Sequence, residues 1–146
     1  MNTPAPPSAD SGSDGSGTVE RLGFAAEQIV QEFGWDEDVD NDFRFAVEDL
    51  IGSELEDEDY TGETDAVVFW WRADDGDLTD ALINLVGVVE EGGFVVALTP
   101  KDRDAGAVDP AEIDEASGTA GLHTAGAFNA SPSWRATKLV TPKGRR

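Results

Sequence analysis

Carboxylates are the groups in this chain best placed to do chemistry. Two short stretches concentrate them: Asp36, Glu37, Asp38 and Asp40 in FGWDEDVD, and Asp74, Asp75 and Asp77 in WWRADDGD. Crowded carboxylates raise one another's pKa or hold a hard cation, so a cation or small-ligand site is one use for them. The competing use is structural. Acids at helix N-termini cap the first turn and complement the dipole, and we favour this reading. The alternation Asp36, Asp38, Asp40, Asp42 mimics the opening of a calcium loop. Asn41 stands where the turn glycine belongs and Val47 where the bidentate Glu belongs, so an EF-hand is rejected.

Other chemistry is thinly supplied. Cysteine is absent, which excludes disulfides, thiolate metal sites and cysteine nucleophiles. His123 is the single histidine, so neither a catalytic triad nor a histidine-rich metal site is expected; it reads as a hairpin surface residue. Ser117, Ser131 and Ser133 have no nucleophile-elbow motif around them. Lys101 and Arg103 follow a strand end and could meet an anion, although a solvated loop is the favoured reading. We expect no catalytic residue, metal or cofactor. The four tryptophans, Trp35, Trp70, Trp71 and Trp134, serve either the core or a partner surface, where Trp is enriched. Adjacent Trp70 and Trp71 must point to opposite faces of a strand, and core packing is favoured for that pair. Trp35 and Trp134 are the candidates for a partner surface, with Asp36, Asp38, Asp74 and Asp75 as the surrounding ligand- or partner-binding set.

Composition narrows the partners. The 146 residues carry 10 Lys and Arg against 31 Asp and Glu, a formal net charge of −21. Phosphate-rich partners would be repelled, which argues against nucleic acid and anionic membrane and leaves a basic protein as the complementary partner. A merely solvating acidic surface explains the same excess. No apolar run reaches the roughly 18 residues of a membrane span. The N-terminus lacks a basic region followed by an apolar one, so a cytoplasmic protein is expected.

The elements that would position these residues follow from periodicity. Residues 1–17 are Pro, Ser, Gly and Asp with little to bury, and predict a disordered tail. Residues 18–141 predict one α/β domain, and 142–146 a short basic tail. Between Thr18 and Phe33 the apolar spacing suits a helix, while Gln28–Phe33 would also serve as a strand. Asp40 or Asn41 caps a helix through Phe43, Ala46, Val47, Leu50 and Ile51, ended near Gly52. The acidic run 54–65 predicts a surface connection that tucks in Tyr60. Ala66–Trp71 and Phe94–Leu98 are continuous β-branched and aromatic runs, suited to strands buried on both faces. Between them, Leu78, Ala81, Leu82, Leu85, Val86 and Val89 fall on one helical stripe, capped by Asp77 and ended by Gly92 and Gly93. About 14 helical residues span roughly 21 Å and seven strand residues about 23 Å, so one helix returns the chain along one strand. A third helix starts at Asp109-Pro110. Leu122–Asn129 and Trp134–Val140 then predict a closing hairpin. The expected fold is a small three-layer Rossmann-like α/β sheet, mostly parallel, with a C-terminal antiparallel hairpin at one edge.

Several stretches also carry a family resemblance. RLGFAAEQIVQEFGWDEDVDNDFRFAVEDLIGSEL, DEDY, VVFWWRADDGDLTDAL, EGGFVVALTPK and WRATKLVTPK together resemble a bacterial family known only as domain-of-unknown-function family 3052, over nearly everything from Thr18 to Lys143. More distant members carry Pro-Gly before the segment matching Gln28–Phe33, then a strand-like run. That resemblance implies a strand here, although Ala26-Glu27 replaces Pro-Gly. The layout also looks like the later half of a class I methyltransferase-type Rossmann fold, a likeness of fold that carries no activity by itself. A nucleotide or S-adenosylmethionine site of that kind needs a glycine-rich turn after the first strand. Here the turn is Phe33-Gly34-Trp35-Asp36-Glu37-Asp38, with one glycine, a bulky Trp and three carboxylates. The expected function is a non-enzymatic regulatory or protein-interaction module. The alternative is a small-molecule or cation binder, a remnant of a methyltransferase-like enzyme, with its site at the strand C-terminal loops.

Overall fold

A computed structural model describes residues 16–141. Both tail assignments fall largely on residues 1–15 and 142–146, outside the described residues. Ser16 and Gly17 already belong to the first helix.

Helix α1 spans Ser16–Leu22 and strand β1 Val30–Phe33, which resolves the ambiguous N-terminal region into both elements. Gly23, at φ 109°, ends the helical stripe between them. Helix α2 is Asn41–Ile51, with the Asp40 carboxylate accepting from Phe43 N and Gly52 closing it in the left-handed region at φ 85°. Strand β2 is Thr64–Trp70, helix α3 Leu78–Val86 and strand β3 Val89–Pro100. A short 3-10 turn at Arg103–Ala105 leads to α4 at Pro110–Ala120, capped by Asp109 with Pro at its first turn. Strands β4 (His123–Asn129) and β5 (Trp134–Val140) form the closing hairpin.

Helix α3 is shorter than its apolar stripe. It stops at Gly87, and Val89 already pairs with Thr64 in the sheet. Gly87 and the β-branched pair Val88-Val89 favour leaving the helix, and the residues between Val89 and Phe94 loop out before regular pairing resumes at Ala66↔Phe94. From there β2 and β3 run parallel with Val67↔Val95, Val68↔Val96, Phe69↔Ala97 and Trp70↔Leu98. β1 runs parallel to β2 on its other side, Val30 opposite Ala66.

The sheet order is β1-β2-β3-β5-β4. β5 lies between β3 and β4 and is antiparallel to both. The expectation of a mostly parallel sheet is therefore corrected: two of its four ladders are parallel and two antiparallel. The reason is that the last strand returns into the sheet against β3 instead of extending beyond β4.

Both faces are covered, as continuous apolar strands require. One core packs Val30, Ala66, Val68, Trp70, Phe94, Val96 and Leu98 against α1 and α2. The other packs Val67, Phe69, Trp71, Val95, Ala97 and Leu139 against α3 and α4. Trp70 and Trp71 thus go to opposite faces and both are buried. Trp70 meets Trp134 edge-on at 4.9 Å between ring centroids and Phe43 at 6.0 Å. Such contacts contribute about 0.5–1.5 kcal/mol each beyond burial.

Candidate functional site

In open α/β sheets, ligands sit beyond the carboxyl ends of the strands. Three chain segments meet there: Gly34–Asp40 after β1, Trp71–Asp77 after β2, and Lys101–Val108 after β3. Arg72 fills the space between them. The residue is only 9% exposed. Its Nη1 donates to the Gly34 carbonyl at 2.7 Å and to the Trp70 carbonyl at 3.3 Å. Nη2 and Nε donate to the two oxygens of Asp38, at 2.5 and 3.1 Å. Asp75 accepts from the Arg72 backbone N at 2.9 Å and holds its carboxylate 3.5 Å from Nη1. The guanidinium carbon lies 5.4 Å from the Trp134 ring centroid, a cation–π distance. The third loop docks on the same residue's flank, with Ala73 N donating to Gly106 O at 2.9 Å.

Electrostatics reinforce this closure. Burial works against the Arg72 charge, but the hydrogen bonds and attraction of Asp38 and Asp75 outweigh it and raise its pKa further. The hydrogen bond from Arg72 holds the Asp38 carboxyl below the usual carboxylate range. Neither group is poised to exchange a proton near neutrality.

A second charge pair joins β1 to α2, its carboxylate buried and its guanidinium half-buried. Glu32, whose side chain is 7% exposed, accepts from Arg44 Nε at 2.6 Å and Nη2 at 2.9 Å, and from Trp70 Nε1 at 2.8 Å. The bond to Glu32 raises the Arg44 pKa. Both lone-pair sets of the carboxylate are used, which is what a buried ion pair needs.

The six residues expected at the site separate into two groups. Asp38, Asp75 and Trp134 are drawn together by Arg72. Trp35, 53% exposed, and Asp36 and Asp74, also exposed, stay outside that cluster. Trp134 is corrected as a partner surface. It is 3% exposed, packed on Trp70, and its Nε1 donates to Asp38 O at 3.2 Å. The burial follows from its place at the start of β5, an inner strand of the sheet. Asp40 and Asp77 are helix caps. Among the described residues, no three His, Asp or Glu side chains converge to hold a metal ion.

Sequence reasoning missed Arg72 and the Glu32–Arg44 pair. The signal for Arg72 was present: a lone cation follows a buried strand between two acidic loops. For Glu32 it was weaker, a carboxylate inside a strand that must be covered on both faces.

The closure also decides what the strand ends can cradle. Gly34 sits at φ 80°, and a Cβ there would collide with the Trp70 carbonyl oxygen. The single glycine of the first turn is thus consumed by strand-to-strand approach. Its carbonyl is taken by Arg72, and the turn carries no further glycine to admit a phosphate or a methyl donor. The residues present do not fit such a group.

Comparison with solved structures gives the same frame. A SAM-dependent methyltransferase from Aquifex aeolicus superposes with a TM-score of 0.57 at 12% identity, over 89% of this chain and 90% of its own. Mitomycin 7-O-methyltransferase MmcR gives 0.60 at 12% identity, over 88% and 53%. The magnesium protoporphyrin IX methyltransferase of Synechocystis PCC 6803 gives 0.51 at 11% identity, over 85% and 74%. At such identities the likeness is one of fold alone. In sequence, uncharacterised proteins of Mycobacterium tuberculosis and Mycobacterium bovis are 45% identical over 130 residues, 89% of this chain and 82% of theirs. The match to the protein-of-unknown-function family DUF3052 runs over residues 19–143, and the chain belongs to that family.

Proposed function

We propose that this domain is a non-enzymatic protein-interaction or regulatory module, built on a methyltransferase-like frame whose ligand crevice is closed by its own side chains. One observation carries the reading. Arg72 occupies the strand-end crevice and bonds the first loop to the second, with the third packed on its flank through Gly106, where a catalytic site would need open space and a group able to change charge. The contact surface is the exposed flank of that crevice: Trp35 with Asp36 and Asp74, an aromatic anchor within an acidic rim. Such a surface suits a basic protein partner, and the charge of −21 disfavours nucleic acid and anionic membrane. A cytoplasmic location accords with this partner. The alternative, a small-molecule-binding remnant of a methyltransferase, draws support from the shared fold.

Thermal unfolding separates the two. A ligand that binds only the native state at 100 times its Kd stabilises by about 2.7 kcal/mol, which for this size raises the midpoint by roughly 8 °C. We expect no shift with S-adenosylmethionine, nucleotides, Mg²⁺ or Ca²⁺, and recovery of a basic partner by the wild type but not by Trp35→Ala. A saturable rise with any of these ligands, abolished by Asp74→Ala plus Asp75→Ala, would establish the alternative.

A further inference from the structure

The two edges of the sheet are treated in opposite ways. β1 is short, and the acidic connection 54–63 covers its outer side: Glu32 N donates to Glu56 O at 2.8 Å, and Glu56 N to Val30 O at 2.9 Å. Gln31 Nε2 reaches the carbonyls of Asp57 and Tyr60 at 2.9 and 3.0 Å. Six acids lie in that connection: Glu54, Glu56, Asp57, Glu58, Asp59 and Glu63. This edge is both paired and charged, the usual protection against strand addition.

The other edge is less protected: no further strand covers it among the described residues, and at its end Thr18 Oγ1 donates to the Asn129 carbonyl at 3.4 Å while Arg21 lies 5.3 Å from the Phe128 ring centroid. Among the described residues β4 pairs with one strand only, β5. Six of its seven residues are exposed, and Phe128 is half-buried. It lies within residues 116–134, a run of 19 positions with no Asp, Glu, Lys or Arg. This is the longest uncharged run in the chain; at the overall charged fraction of 28%, about five charges would be expected in 19 positions. Small residues dominate the strand, HTAGAFN, and it has no proline. Its one blunting feature is a bulge between Thr124 and Gly126.

We infer that β4 is a self-association edge, and that its occupant is a second copy of this chain, paired antiparallel about a two-fold axis through the middle of the strand. Charge selects this partner. Two chains of −21 repel wherever their acidic surfaces face each other, and with a Debye length of about 8 Å they meet at least cost across strips that carry no charge. What charge does flank the strip is complementary under the two-fold. Asp114, whose carboxylate accepts from Thr124 Oγ1 at 3.0 Å, marks one end of β4. Arg135, in register with Asn129, marks the other. Reversing the second strand brings the Asp114 end of each copy to the Arg135 end of its partner, twice per dimer. The chain's own residues 1–15 are a poor occupant, because Pro4, Pro6 and Pro7 lack the N–H groups that strand addition needs. The contact lies at the sheet edge remote from β1 and is independent of what the Arg72 crevice does.

Sedimentation velocity on the full chain tests this, from about 1 to 200 µM, where an interface below about 1,200 Å² is expected to associate. A concentration-dependent shift from monomer to dimer is expected. Ala125→Lys plus Ala127→Lys should weaken it about tenfold or more through like charges across the axis. These changes lower the net negative charge, so the loss would not come from added overall repulsion. Ala127→Glu should act the same way, and the exposed helix variant Ile83→Lys should dimerise like the wild type. Circular dichroism and unfolding midpoints identify any variant that fails to fold. A wild type monomeric throughout the range, or folded edge variants that dimerise unchanged, would overturn the inference.

Discussion

Replacing Arg72 with methionine removes the charge while keeping most of the aliphatic stem, and the structure sets the size of the effect. The ion pair with Asp38 contributes little, because that carboxylate is 49% exposed and becomes hydrated once released; about 0.5–1 kcal/mol is reasonable. The charge-assisted bond to the part-buried Gly34 carbonyl, at 2.7 Å, contributes about 1.5–3 kcal/mol. Methionine refills the stem, so the packing loss stays under about 1 kcal/mol. The expected total is about 2–5 kcal/mol. In urea, with a slope of roughly 1.5–2 kcal/mol per M, the midpoint should fall by roughly 1–3 M. A double-mutant cycle with Asp38→Asn should return a coupling of about 1 kcal/mol or less, well below the total. A midpoint change under about 0.3 M would show that Arg72 does not hold the strand-end loops together. The closed-crevice reading would then lose its physical basis.

Two further outcomes follow from the same network. Glu32→Ala leaves the buried Trp70 indole N–H without its acceptor and releases the part-exposed Arg44 guanidinium, at a cost of about 2–3 kcal/mol, while Glu32→Gln keeps an acceptor for Trp70 and should lose about half as much; equal midpoints for the two variants in thermal scans would contradict the assigned bonds. Asp38 has a folded-state pKa below its unfolded value near 3.9, so its contribution is complete above that value and disappears as pH falls through the lower, folded one. Urea midpoints measured between about pH 2 and 6 should therefore fall less steeply in Asp38→Asn than in the wild type over that acid range, and parallel profiles would refute the assignment.

Much of the fold was legible because it is local. The β-branched runs at Ala66–Trp71 and Phe94–Leu98, the Asp40, Asp77 and Asp109 caps, and the Gly52 terminus each sit within a few residues of the structure they specify. Chain pattern misled where local rules compete. The stripe through Val89 looked helical, yet that residue gains more from pairing with Thr64 and from burial among Leu78, Leu82 and Leu85 than from another helical turn. Trp134 looked available to a partner because it follows a turn, and the inner position of β5 buries it.

The sequence by itself determined the alternation of strands and helices, the two-sided burial of the middle strands, the excess of carboxylates and the want of cysteine. Those are properties of composition and short-range spacing, governed by periodicity and capping. Only the tertiary structure decided which carboxylates meet a cation, which tryptophans stay outside, and which sheet edge is less protected. Arg72 and Asp38 are 34 residues apart in the chain, and Trp134 is 96 from Asp38. No local rule relates such positions; the parallel register of β1 on β2 and the return of β5 beside β3 bring them within hydrogen-bonding reach.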